Sequence, residues 1–157
     1  MWDSLIAVGG TLAGGLVASV TQLRGARAER RENRREARRS EALSAVTALS
    51  GALADHRRAM WQCEDAKLTG KPAQVVAELE TVQHGTRSAI NAPMTTVAIL
   101  TPALAGPARE AAQATYAMRD AGSVDVLEAR RAVALGAADR FVESAAEFFA
   151  EVGLVVA

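Results

Sequence analysis

The chain has 157 residues, enough for one ordinary domain with a modest core and too few for two independent domains. Half of the residues are hydrophobic but only 4% are aromatic, which favours closely packed helices over sheet, because strands prefer β-branched and aromatic residues. The net charge is zero, and the single cysteine, Cys63, excludes an internal disulfide and a zinc site built from cysteines.

The N-terminal segment predicts a transmembrane anchor. Between Ser4 and Leu23 lie 20 residues without a formal charge, which as a helix would span about 30 Å, the thickness of the hydrocarbon layer. Trp2 precedes this stretch and Arg24 follows it, as at the two membrane interfaces. No positive charge precedes it, so we expect an uncleaved anchor over residues 1–23. The positive-inside rule places the N-terminus outside and the body in the bacterial cytoplasm.

Small residues recur every fourth position within this anchor, at Gly10, Gly14 and Ala18. Such a stripe lets two membrane helices approach closely, so these residues are candidates for packing between copies. The alternative is that the glycines are incidental, because glycine is common in membrane helices generally.

An arginine-rich stretch follows the anchor and predicts a helical neck over residues 24–41. Eight arginines against three glutamates between residues 24 and 39 give this stretch a charge of +5, which leaves −5 for the rest of the chain. Its position beside the apolar segment favours contact with anionic lipid headgroups. The headgroup-contacting candidates are Arg24, Arg27, Arg30, Arg31, Arg34 and Arg35. A nucleic-acid contact is less favoured because no interleaved aromatics or helix-turn-helix spacing accompany the arginines, and a solvated helix with internal ion pairs is a third reading.

The first part of the body, residues 42–157, has a helical period. One apolar stripe contains Leu43, Val46, Leu49, Leu53 and Met60, and its helix should end near Thr69 because Gly70 and Pro72 follow. A second stripe contains Val75, Leu79, Val82, Thr86 and Ile90. The second helix is predicted to end before Pro93, which would begin a short third helix.

The second part of the body adds two further helices. Residues 108–121 predict an alanine-rich helix, with Gly122 as its C-cap and Ser123 as the next N-cap. The last helix is predicted over residues 124–152. Its repeating small and apolar residues are Leu127, Ala134, Ala138, Phe141, Ala145 and Phe148. The expected fold is therefore all-α: a transmembrane helix that continues into a long helix, followed by an antiparallel helical bundle.

The polar residues of the body predict a structural network rather than a catalytic site. The candidate members are Asp55, Arg57, Glu64, Asp65, His84 and Arg87. In an antiparallel hairpin Arg87 should lie level with Arg57 or Arg58, with Asp55 as its partner. Glu64 or Asp65 should pair locally with Arg57 or Arg58, or with Lys67 and Lys71. His56 and Cys63 are seven residues apart, about 10 Å along a helix, which is too far for a nucleophile and its base.

Sequence motifs for enzymatic chemistry are also missing. There is no paired metal-ligand motif, glycine-rich phosphate loop or nucleophile elbow. We therefore expect no enzymatic activity, no metal or other cofactor and no small-molecule substrate. The expected partners are the lipid membrane and either further copies of the chain or other membrane proteins.

Several short motifs resemble those of small actinobacterial membrane proteins of the plasmid-spread, or KilB-type, family. They are the glycine-rich anchor that begins Met1-Trp2, the arginine-rich neck, His56-Arg57-Arg58-Ala59-Met60-Trp61, Thr86-Arg87-Ser88-Ala89-Ile90 and Ala92-Pro93. The resemblance covers most of the chain. It implies a role in spreading a mobile element between hyphal compartments, as one membrane component among several and without catalytic residues.

Three functions are compatible with these features. The favoured one is a membrane-anchored helical interaction protein of a mobile element. A small holin-like or toxic effector that perturbs membranes is the second, because the apolar segment is rich in glycine. The third is a soluble helical adaptor whose N-terminal helix packs on a partner.

Overall fold

The protein is built entirely from helices over the residues that the structure describes. The computed structural model describes the backbone of residues 2–154 and the side chains of residues 29–151. Helix α1 spans Trp2–Leu68, α2 Ala73–Leu100, α3 Ala105–Tyr116 and α4 Val124–Leu154, and a 3-10 turn at Pro102–Leu104 precedes α3. By its internal contacts the chain divides into two compact units, Met1–Ser40 and Glu41–Ala157. The predicted all-α class is confirmed.

The turn between α1 and α2 ends the first helix where the sequence indicated. Gly70 has a φ of +66°, a left-handed conformation that glycine adopts without the steric penalty of a Cβ atom. The Lys71 N–H donates to the Ala66 carbonyl and the Gly70 N–H to the Lys67 carbonyl, at 2.9 and 3.2 Å. These two bonds form a Schellman motif, which satisfies the last carbonyls of α1 and reverses the chain.

Side-chain contacts give the direction of α2 and the position of α4 relative to the C-terminal part of α1. His56 of α1 contacts Thr86 of α2, and nearer the turn Lys67 contacts Glu80. Trp61 of α1 bonds Glu128, close to the start of α4. The C-terminal part of α1 therefore lies antiparallel to α2, and its Trp61 lies beside the start of α4.

Two apolar clusters form the core of this unit. The larger cluster contains Ala45, Val46, Leu49, Leu53, Ile90, Val97, Leu104, Ala108, Ala111, Ala112, Ala137, Phe141 and Ala145. The smaller contains Met60, Met118, Ala121, Leu127 and Ala134. Alanine fills most of the α3 and α4 positions in the larger cluster, so these helices pack closely there with few large side chains. Phe141, which is fully buried, supplies the largest apolar volume.

The predicted core stripes are right for part of α1 and wrong for part of α2. Val46, Leu49, Leu53 and Met60 are buried, but Leu43 is 53% exposed. In α2 the buried residues are Gln83, Ile90 and Val97, while Val75 and Val82 are 40% and 52% exposed. Ile90 is buried as predicted, but Gln83 rather than Val82 lies against Met60 of α1.

The predicted break at Pro93 is also wrong, because Pro93 lies inside the continuous helix α2. A proline in a helix removes one backbone hydrogen bond and clashes with the preceding turn, which costs about 3 kcal/mol. Ile90 and Val97 on either side of it are fully buried, so packing holds the helix together across the proline.

The connection from α3 to α4 departs slightly from expectation. Helix α3 ends at Tyr116 rather than Ala121, and Asp120, not Gly122, has the positive φ, at 53°. Asparagine and aspartate tolerate this conformation better than other residues with side chains. Ser123 begins α4 as predicted, since its hydroxyl accepts a hydrogen bond from the Val126 N–H at 3.3 Å.

The predicted anchor, Ser4 to Leu23, lies outside the residues whose side chains are described. Within the part of the chain searched, no helix combines the length and the apolar character that crossing a membrane requires.

Candidate functional site

A buried polar layer connects α1, α2 and α3. His56 is 1% exposed, and its Nδ1 lies 2.9 Å from the Thr86 hydroxyl oxygen. The Thr86 hydroxyl in turn donates to the Gln83 carbonyl at 3.0 Å. Because the hydroxyl proton is used in that bond, Nδ1 of His56 must carry a hydrogen and donate it to Thr86. The other ring nitrogen, Nε2, is buried without a hydrogen-bond partner among the described residues.

The His56 ring packs against the ring of Tyr116, and the Arg87 guanidinium lies over that same ring. The centroid of Tyr116 lies 5.5 Å from that of His56 in an edge arrangement, and the Arg87 guanidinium lies 4.2 Å from the Tyr116 centroid. Burial, together with the positive charges of Arg87 and Arg119, lowers the pKa of His56 to about 4. His56 is therefore neutral near pH 7.

The structure places the members of the predicted network in different surroundings. Arg87 lies over Tyr116 rather than beside Asp55, although the helix register is close to the predicted one. Asp55 instead forms an exposed ion pair with Arg58 at 3.6 Å. His84 is exposed and outside the buried layer. The missing element in the prediction was Tyr116, whose contribution from α3 depends on the packing of three helices.

A second polar group lies near the α1–α2 turn. Lys67 contacts Glu64 at 3.3 Å and Glu80 at 3.0 Å. Glu64 is 3% exposed. Lys67 therefore supplies the positive charge that compensates this buried carboxylate. Burial alone would lower the pKa of Lys67, but the hydrogen bond to Glu80 and the charge of Glu64 raise it overall. Asp65 lies half-buried in the next position of α1.

The cysteine beside this group has the character of a structural residue. Cys63 is fully buried, and burial raises the pKa of its thiol even though Lys67 acts in the opposite direction. A protonated thiol is a poor nucleophile and a poor metal ligand. Within the described residues, no three or more His, Cys, Asp or Glu side chains gather where they could hold a metal ion.

A third group, which the sequence did not reveal, joins α1 to α4 at the surface. The Trp61 indole donates to Glu128 at 2.7 Å, and the Arg131 guanidinium lies 5.3 Å from the Trp61 ring. Arg131 also pairs with Glu128 at 3.4 Å. The neighbouring Arg57 has a buried Nη1 without a hydrogen-bond partner among the described residues. Burial and the positive charge of Arg131 lower the pKa of Arg57.

The structure describes only part of the predicted membrane-contacting set. The side chains of Gly10, Gly14, Ala18, Arg24 and Arg27 lie outside the described residues. From residue 29 to residue 40 every side chain is exposed. The arginines of the set within this range are Arg30, Arg31, Arg34 and Arg35. Arg35 forms an ion pair with Glu32 at 3.9 Å, both largely exposed.

Comparison with known proteins identifies the family. Residues 43–149 match the family described as KilB plasmid transfer protein. The chain belongs to this family. It is also 50% identical over 149 residues to Protein KilB of Streptomyces lividans, an alignment that covers 95% of this chain and 99% of that protein. No solved structure matches the chain.

The KilB family match covers the whole buried polar layer. Residues 43–149 contain the end of α1, all of α2 and α3 and most of α4. Two of the motifs that carried the resemblance, His56 to Trp61 and Thr86 to Ile90, meet in the fold, because His56 bonds Thr86. Their shared role in this structure is to join helices.

Proposed function

We propose that the chain is a non-catalytic, membrane-anchored component of plasmid transfer. The observation that carries this proposal is the match of residues 43–149 to the KilB plasmid transfer family. In this role the helical body displays interaction surfaces in the cytoplasm, and residues 4–23 hold it at the bacterial cell membrane. Its partners are the lipid bilayer and either further copies or other membrane proteins of the transfer machinery.

The charge pattern at the N-terminus supports the anchor. A stretch of 20 uncharged residues from Ser4 to Leu23 is long enough to cross the hydrocarbon layer. Arginines follow it directly, and each basic residue near an anionic membrane surface contributes about 1 kcal/mol. The same distribution places the N-terminus outside and the body inside.

The chemistry of the body supports a scaffold role. The buried His56 is neutral near pH 7 and bonded to Thr86, and the Cys63 thiol is buried with a raised pKa. Arg87 covers an aromatic ring. His56 and Arg87 join helices and Cys63 is buried in the interior, which suits a protein whose task is to position surfaces.

Transfer of the mobile element between colonies, measured after deletion of the gene and complementation, tests the proposal. The full chain should restore transfer, and residues 41–157 alone should not. A chimera in which an unrelated transmembrane helix of the same orientation replaces residues 1–23 should restore it. Full transfer by residues 41–157 alone would contradict the need for an anchor, and normal transfer without the gene would contradict the role itself.

Membrane fractionation separates the alternatives. Retention of the full chain after high-salt and carbonate washes is expected for an anchored protein, whereas release would favour the adaptor function. A reporter active only outside the membrane should stay inactive when fused at Ala157. Dye leakage from cells that express the full chain, lost when Gly10 and Gly14 are replaced by leucine, would favour the membrane-perturbing effector instead.

A further inference from the structure

The arginine-rich part of α1 carries its two kinds of charge on opposite sides of the helix. With about 100° of rotation per residue, four of the arginines between residues 29 and 40 fall within an arc of about 100°. We use the name arginine face for Arg30, Arg31, Arg34 and Arg38. Glu29, Glu32 and Glu36 fall within an arc of about 60° on the opposite side. Arg35 and Arg39 lie between the two groups.

Within the described residues nothing neutralises the arginine face. Every side chain from residue 29 to residue 40 is exposed. Arg35 pairs with Glu32 at 3.9 Å, but no ion pair among the described residues involves the arginine face. Like charges four residues apart, such as those of Arg30, Arg34 and Arg38, destabilise an isolated helix. An anionic partner along this face would remove that repulsion.

Lipid headgroups account for only the first arginines of the stretch. Arg34 and Arg38 lie about 16 and 22 Å along α1 beyond Leu23, whereas the attraction of a charged membrane surface falls off within about 10 Å. A helix that lies flat on a membrane inserts an apolar face, but the nonpolar residues from 24 to 41 are alanine and glycine alone. The arginine face therefore suits an anion other than a lipid surface.

A protein partner also fits this face poorly. Protein interfaces are anchored by apolar and aromatic side chains, and the arginine face offers no such anchor. A polyanion of uniform charge needs only the arginines. Duplex DNA carries about one negative charge per 1.7 Å of its axis, so the roughly 12 Å of helix between Arg30 and Arg38 would lie beside about seven phosphate charges.

We propose that the arginine face binds the phosphate backbone of duplex DNA without reading its sequence. The duplex is favoured over a single strand because proteins that bind single strands stack the bases on aromatic side chains, and residues 24–41 contain none. Phosphates repel Glu29, Glu32 and Glu36, so these glutamates keep the opposite side of the helix away from the DNA. This binding needs no anchor and goes beyond the proposed function.

Fluorescence anisotropy of a labelled DNA duplex, titrated with the full chain in a neutral detergent, tests the proposal. The logarithm of the association constant should fall against the logarithm of the salt concentration with a slope of about −3 to −4, because each phosphate contact contributes about −0.9. Replacing the four arginines of the face by glutamine should weaken binding about tenfold or more and bring the slope close to zero. Replacing them by lysine should keep the slope and keep the affinity within about threefold. A duplex of unrelated sequence should bind equally well.

Two controls distinguish the face from the overall charge. Glutamine at four exposed arginines of the body removes the same charge and should weaken binding less than about twofold. These arginines are Arg58, Arg109, Arg119 and Arg140. The double variant Arg31→Glu with Glu32→Arg keeps composition and net charge but places a carboxylate on the arginine face, so it should weaken binding about fivefold or more. Equal losses in the body variant and the arginine-face variant, or wild-type binding by the double variant, would overturn the inference.

Photo-cross-linking in cells identifies what the face contacts. A photo-reactive residue in place of Ala37, which borders the arginine face, should capture DNA. One in place of Ser40, on the side of the glutamates, should capture about fivefold less, because it lies about 80° or more from every member of the face. Capture of lipid or protein but no DNA at position 37 would contradict the proposal.

The outcome is separable from that of the proposed function. If carbonate releases the chain but the full chain still binds the duplex through the arginine face, the DNA contact stands and the anchor fails. If transfer requires the gene and the chain stays in the membrane, but the full chain does not bind the duplex, the transfer role and the anchor stand and the DNA contact fails.

Discussion

His56 joins three helices through one side chain. It lies on α1, donates to Thr86 on α2 and packs against Tyr116 on α3. Its Nε2 atom has no hydrogen-bond partner among the described residues, and Arg87 and Arg119 oppose a positive charge on the ring. A buried, neutral histidine of this kind stabilises the fold only while it stays unprotonated.

Stability of the protein should therefore decrease as the pH falls below about 6.5, because the unfolded chain then binds a proton that folded His56 does not. With a folded pKa of about 4, the loss continues down to about pH 4 and reaches up to about 3 kcal/mol. Urea unfolding of wild type and His56→Gln between pH 7 and pH 4 measures it. His84→Gln, at an exposed position, is the control. The same pH dependence in wild type and His56→Gln would contradict this role.

Lys67 neutralises the buried carboxylate of Glu64. Lys67→Met should reduce the free energy of unfolding by about 1 to 3 kcal/mol, because Glu64 then loses its compensating charge, although partial exposure of the lysine moderates the effect. Lys71→Met, at an exposed position past the turn, should change it by less than about 0.5 kcal/mol. In thermal or urea unfolding, Glu64→Gln should recover part of the loss in the Lys67→Met background. Additive losses would show that the two side chains are not coupled.

At the scale of the elements, α1 and α2 differ in how their boundaries and faces arise. The end of α1 follows from local chemistry, because Gly70 supplies a left-handed residue and two backbone hydrogen bonds close the turn. The continuity of α2 across Pro93 follows from packing, since Ile90 and Val97 are buried on either side of it. Local sequence therefore predicts the first boundary and gives the wrong answer for the second.

Two glycine substitutions should have opposite effects on stability. Gly70→Ala places a Cβ on a residue with a φ of +66° and should destabilise the protein by about 1 kcal/mol. Gly51→Ala adds a Cβ within a helix, where nothing lies within 4 Å of it, and should stabilise by about 0.5 to 1 kcal/mol. Melting temperatures of the two variants compare them directly. Destabilisation by Gly51→Ala would contradict this prediction, because it would mean that another part of the protein contacts the surface of α1 at Gly51.

At the scale of the whole molecule, the bundle depends on a few large side chains among many alanines. Leu49, Leu53 and Phe141 are 0%, 1% and 0% exposed and belong to one cluster. Total stability of a domain this size is about 5 to 15 kcal/mol, so one uncompensated charge in that cluster removes much of it.

Leu53→Asp should unfold the body, whereas Leu43→Asp should not, because Leu43 is 53% exposed. Both residues belong to the apolar stripe that the sequence predicts for α1, so the pair tests which of them the fold buries. Circular dichroism and thermal unfolding of residues 41–157, which we expect to fold without the anchor, measure the difference. Loss of helix in both variants would place Leu43 in a buried contact.

The helical class of the protein could be predicted because it depends on local properties. The class follows from abundant alanine, from apolar residues at helical spacing and from the turn residues Gly70 and Ser123. Each of these influences the backbone only within a few residues along the chain. The family resemblance also followed from short motifs, His56 to Trp61 and Thr86 to Ile90. A local ion pair of Glu64 was predictable for the same reason, and Lys67, one helical turn away, was among its candidate partners.

Tertiary structure alone decided how the helices face each other. Neighbouring apolar positions on a helix compete for the core, and the burial of Gln83 instead of Val82 was settled by Met60 on another helix. Arg87 lies over Tyr116, which α3 supplies, rather than beside Asp55. The sequence by itself therefore determined the helical class, the turn at Gly70, the N-cap at Ser123 and the family. Packing between distant segments decided which polar groups meet and which apolar face of α2 remains uncovered, because those contacts join residues that no local pattern relates.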